Sequence, residues 1–159
     1  MNTEELETFY DELVDEYGEK VIALAQSLGI SLEPDFYAED YPTDEYTEEE
    51  IAEEKQSAID EIKDELNSIT NEYDNTYSYY SEEYIVATDE EADEIADEYL
   101  DNYIDECLEI PDNIRPYFDE EKWKNDARMD GRGHIISTYD GCEDYEDVNG
   151  TTYYIYRTN

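Results

Sequence analysis

Positive charge is what this sequence has least of: nine Lys and Arg stand against 49 Asp and Glu, with one His, for a formal net charge of −40. That sign excludes direct nucleic-acid binding, which sets Lys and Arg against phosphates and releases counterions. One histidine, His134, and two separated cysteines, Cys107 and Cys142, are too few for a transition-metal site. The cysteines lack CxxC spacing and a nearby histidine, so both are expected as reduced thiols with no catalytic role. No apolar run approaches the length of a membrane span, and MNTEELETFY has neither a basic n-region nor an apolar h-region. The expectation is a cytoplasmic protein with no membrane association.

Signatures of chemistry are equally scarce. The EF-hand spacing of calcium ligands is absent, and the closest stretch, from Asp126, lacks most ligand positions. There is no P-loop, no nucleophile motif and no second histidine to accompany His134. Asp130-Gly131-Arg132-Gly133-His134 reads as a tight turn from helix to strand, with Arg128 and Arg132 paired to local acids rather than gripping a phosphate. No catalytic residue, metal site or cofactor is expected.

What is present is acid, tyrosine and periodicity. With 38% hydrophobic residues and this net charge the composition alone would suggest disorder. The apolar residues are periodic, however, and 18 Tyr supply large buried area while keeping a polar tip for the surface. A folded, self-repelling protein follows, more stable in salt. Its 159 residues suffice for one domain, or a domain with an extension.

Thr3 is placed to cap a first helix with apolar positions Leu6, Phe9, Leu13, Tyr17, Val21, Leu24 and Leu28, a bend at Gly18 and a stop at Gly29. Residues 30–46, with Pro34 and Pro42, read as a surface connection tacked down by Phe36, Tyr37 and Tyr41. Thr47 and Glu50 form a capping box before a second stripe, Ile51, Ala58, Ile59, Ile62, Leu66 and Ile69, that can extend through Tyr73. A strand is predicted over 78–87. A second capping box, Thr88 and Glu91, then opens a third helix to Cys107, whose stripe is Ala92, Ile95, Ala96, Tyr99, Tyr103 and Cys107.

After a Pro-containing linker, Asp119 is an N-cap and Trp123 a buried anchor for a short helix over 119–128. HIISTY reads as a strand. The tail reads as a β-hairpin turning at Asn149-Gly150, a type I′ sequence that places Tyr145 opposite Tyr154. The fold class is therefore α+β: three acidic amphipathic helices in an acidic part, residues 1–108, then a short helix and a C-terminal antiparallel hairpin or small sheet over 109–159. The two parts could also form one continuous domain.

The third helix carries ten acids and no base, with like charges at i,i+4 from Asp89/Asp93 through Asp101/Asp105. Each such pair costs a few tenths of a kcal/mol, so the six of them cost roughly 1–3 kcal/mol before screening. Residues 1–108 hold 37 acids against three Lys, a net of −34, and residues 109–159 hold 12 acids against six bases, a net of −6. Duplex DNA carries two charges per base pair, so −34 matches the count on roughly 17 base pairs. A polyanion-like surface competes for the positive groove of a DNA-binding protein. The residues that would stand in for phosphates are Glu48, Glu49, Glu53, Glu54, Glu61, Asp64 and Glu65 on the second helix. On the third they are Asp89, Glu90, Asp93, Glu94, Asp97, Glu98, Asp101 and Asp105.

YIVATDEEADE (84–94) and YFDEEKWKNDARMDGRGHIISTYDGCE (117–143) resemble stretches of small uncharacterised proteins encoded in bacteriophage genomes. The size and charge profile are similar to those of phage and plasmid antirestriction DNA mimics, a likeness of composition rather than motif. These resemblances imply a non-enzymatic inhibitor in the host cytoplasm whose partner is a host nucleic-acid-binding protein, such as a restriction or CRISPR enzyme. The competing expectation is a phage accessory protein that binds through a C-terminal surface including Arg128, Arg132 and Tyr154, its acids serving solubility. Homodimer formation is compatible with either.

Overall fold

The first turn is capped one residue earlier than predicted: Asn2 Oδ1 accepts from Glu5 N at 2.9 Å, and Glu5 Oε2 accepts from Asn2 N at 3.0 Å. The computed structural model describes residues Met1–Asn159 and divides into two compact units, Met1–Thr70 and Asn71–Asn159.

In the first unit the predicted bend at Gly18 is a complete break. Its φ of +89° with ψ 155° is a conformation that side chains disfavour, and it separates α1 (Thr3–Tyr17) from α2 (Glu19–Ser27). The break lets α2 bury five consecutive residues, Val21 to Ala25, which a single amphipathic stripe would not. Phe36 is buried and stacks on Tyr41, with Tyr46 edge-on beyond, whereas Tyr37 is exposed and tacks nothing down. Helix α3 (Glu48–Asn67) starts at the predicted capping box and buries Ala58, Ile62 and Leu66. It does not extend to Tyr73, because β1 (Ile69–Tyr73) follows at once.

The predicted strand over 78–87 is a hairpin. Strands β2 (Thr76–Tyr79) and β3 (Glu82–Thr88) pair antiparallel around Tyr80, which takes a φ of +54°. Helix α4 (Asp89–Glu106) follows, then α5 (Glu120–Arg128), α6 (Arg132–Ile136) and the hairpin of β4 (Asp144–Val148) and β5 (Thr151–Arg157). Asn149 and Gly150 both have positive φ, +50° and +84°, and Tyr145 pairs with Tyr154, as the turn sequence predicts. The five strands make one antiparallel sheet in the order β1-β2-β3-β5-β4.

The β3–β5 pairing, Tyr84 with Arg157 through Thr88 with Tyr153, brings the C-terminal hairpin into the same sheet as residues 76–88. The two compact units divide after residue 70, so residues 71–108 share a unit with the C-terminal hairpin. Ile85, Ala87, Ala92, Ala96, Ile136 and Tyr156 form a common core of sheet, α4 and α6.

HIISTY, predicted as strand, begins inside α6. A Cβ on Gly133 would meet Gly141 O, Cys142 C and Glu143 N at 2.7–2.9 Å. That close backbone approach seats the turn of helix and buries Ile136, overriding the β-branched preference of the two isoleucines. In α5, Asp119 caps as predicted, its Oδ1 accepting from Lys122 N at 3.0 Å. Trp123 is only half-buried, stacked on Tyr103, and Lys124 is the buried residue. No helix is long and apolar enough to cross a membrane.

Candidate functional site

Thr88 Oγ1 accepts from Glu91 N at 3.3 Å, and Thr88 N donates to Glu91 Oε1 at 3.1 Å, which starts α4 where the capping box predicts. The buried line is Ala92, Ala96, Leu100 and Ile104. Tyr99, Tyr103 and Cys107, assigned to the stripe from their spacing, are exposed instead. At about 100° per residue the corrected line sorts the acids into two rows. Asp89, Asp93, Asp97, Asp101 and Asp105 flank the buried line, and Glu90, Glu94 and Glu98 lie nearly opposite it.

The aspartate row is paired along its whole length. Arg132 Nη1 lies 2.7 Å from Asp89 Oδ1 and 3.1 Å from Asp93 Oδ1, Arg128 pairs with Asp97, Lys124 with Asp101, and Arg115 with Asp105. Lys124, Arg128 and Arg132 are four residues apart, matching the four-residue step of the aspartates and running the opposite way along them. The helix does not relieve its own repulsion. Bases 10 to 43 residues away, counting from Asp105 to Arg115 and from Asp89 to Arg132, relieve it instead.

Arg132 makes the most contacts of any cation in this ladder. Its Nε donates to Glu143 Oε2 at 3.0 Å, and its guanidinium sits 4.5 Å from the centre of the Tyr154 ring. Burial would lower its pKa, but hydrogen bonds to Glu143 and Asp89 outweigh burial and raise it. The hydrogen bond to Asp101 likewise raises Lys124, against the effect of burial. Arg128 and Arg132 are thus held by acids, as expected, but these are chiefly the distant aspartates of α4 rather than acids of the turn itself, and Tyr154 lies beneath Arg132. Arg128, Arg132 and Tyr154, named in the competing expectation, are all half-buried here.

The glutamate row has no cation against it: Glu90, Glu94 and Glu98 are exposed and form no ion pair. On α3, Glu48, Glu49, Glu53, Glu61 and Asp64 are exposed, while Glu65 is half-buried and engaged. Glu54 lies against Tyr41, whose pKa is raised by burial and then by that carboxylate. The two Lys of α3 pair with α1, Lys55 with Glu5 at 3.5 Å and Lys63 with Glu16 at 3.1 Å. Of the residues predicted to imitate phosphates, those on α3 belong to the first unit and those on α4 to the second.

The charge itself is redistributed. The first unit holds 23 acids against three Lys and the second 26 acids against six bases, a net of −20 in each. The steep segregation along the chain disappears in the fold, because residues 71–108 and the C-terminal bases share a unit. A regular anionic row could have been narrowed from sequence by noting the matching step of Lys124, Arg128 and Arg132. No group of three or more His, Cys, Asp or Glu is placed to hold a metal ion. No protein-family model matches the chain, and no curated protein or solved structure matches it.

Proposed function

We propose that this chain is a non-enzymatic DNA mimic of phage type, which acts in a host cytoplasm by occupying the nucleic-acid-binding groove of a host restriction, CRISPR or other DNA-binding enzyme. The observation that carries the reading is the linear charge density of α3. Nine of its 20 residues are acids, and its two Lys turn to α1. At about 1.5 Å per residue the helix is about 30 Å long, so counted around all its faces it carries a carboxylate about every 3.3 Å of axis. One DNA strand presents a phosphate about every 3.4 Å. The glutamate row of α4 adds acids without partners, whereas its aspartate row serves the fold and is removed from the proposed contact set.

The test is displacement. DNA-binding proteins retained from bacterial lysate by the immobilised chain are expected to be released by a 20-base-pair duplex and not by polyglutamate of equal total charge. Changing Glu48, Glu49, Glu53 and Glu61 to Gln is expected to reduce retention and flatten its salt dependence. Equal release by polyglutamate, or a Gln variant that retains the same proteins with the same salt slope, would refute mimicry.

A further inference from the structure

The flank of α4 away from the aspartate ladder forms one wall of an open groove of about 590 Å³ within the second unit. Its helical wall is built from Glu91, Glu94, Ile95, Glu98, Tyr99 and Asn102, positions that recur at three and four residues and so share one face. Its other wall is the β1–β2 turn, with Tyr73 and Asp74, and its floor reaches the buried Ile85. Tyr73 is 64% exposed and Tyr99 36%, so both rings stand open beside the carboxylates. They are also close enough for Tyr73 and Glu98, after burial, to help raise the Tyr99 pKa.

Two tyrosine rings, an apolar floor and a glutamate rim are complementary to one kind of group, a cation with a flat or aliphatic body. Aromatic faces attract cations, and a guanidinium both stacks on rings and forks to carboxylates. Within the unit the aspartate flank already shows this chemistry, where Arg132 lies over Tyr154 with carboxylates at its edge. The groove has the same ingredients, and its Glu94 and Glu98 form no ion pair.

We propose that this groove is a docking site for an arginine-bearing segment of a partner protein. The claim does not depend on phosphate mimicry, because it concerns recognition of one side chain by a shaped groove rather than the charge count of a surface.

The probes are a short acetylated peptide with two Arg in a Gly background and its citrulline counterpart, which keeps the shape and removes the charge. In 0.15 M NaCl the Arg peptide is expected to move the amide resonances of residues 73–75 and 94–102, with the citrulline peptide leaving them in place. Glu94→Gln with Glu98→Gln is expected to weaken binding tenfold or more. Glu4→Gln with Glu7→Gln, the same loss of charge on α1, is expected to change it less than twofold. Tyr99→Leu keeps an apolar wall and is expected to erase the preference for Arg over the matching Lys peptide. Equal losses in the two glutamate pairs, shifts spread alike over α1 and α4, or equal binding of citrulline would overturn the proposal.

Discussion

Tyr84 and Tyr156 each donate a hydroxyl to a carboxylate, Glu82 and Glu143 respectively. Burial first and the carboxylate second push the Tyr84 pKa up to about 12, and the same two causes raise that of Tyr156. A phenol whose pKa is higher in the fold than in the unfolded chain stabilises the fold fully below the unfolded value of about 10. That contribution is lost as pH rises from about 10 through 12. The urea midpoint is therefore expected to fall steeply across this window. Tyr84→Phe, which cannot ionise, should fall less steeply over the same pH series. Parallel curves for the two proteins would show that the hydroxyl has no such linkage.

Helix α4 joins two kinds of acidic row on one scaffold, and they are expected to respond oppositely to neutralisation. Asp93, Asp97 and Asp101 face Arg132, Arg128 and Lys124. Changing the three to Asn leaves Lys124, whose side chain is 10% exposed, without its carboxylate. The expected loss is about 1–3 kcal/mol, reduced from buried-pair values because the aspartates are half in water. Changing Glu90, Glu94 and Glu98 to Gln removes like-charge neighbours at i,i+4 and should leave stability equal or higher by a few tenths of a kcal/mol. Urea unfolding of the two triple variants compares them directly, and equal losses would refute the division of the helix. The contrast also decides which variants can report on a partner: binding lost by the aspartate variant could reflect a loosened α5 and α6.

For the whole molecule, a net charge of −40 opposes compaction. Its cations are engaged mostly in exposed pairs, which contribute little each and lose little on screening. Salt should therefore relieve more repulsion than it costs in attraction. Raising NaCl from 10 mM to 0.5 M is expected to stabilise the protein by about 1–3 kcal/mol, read as a rise in the thermal midpoint. A midpoint that falls with salt would mean that the aspartate ladder outweighs the surplus.

The features legible in sequence are those whose causes lie within a few residues. Thr47 with Glu50 and Thr88 with Glu91 start α3 and α4 because the capping partners are three positions apart. Asn149-Gly150 sets the last turn and the Tyr145–Tyr154 register, because only such residues accept two successive positive φ angles cheaply. The acid surplus, too, is composition. Only tertiary structure decided that β5 lies against β3, that α6 is helix, and that the bases after residue 114 answer the aspartates of α4. Such pairings join segments tens of residues apart. They depend on what burial and close approach select in three dimensions, and local propensity carries no record of that selection.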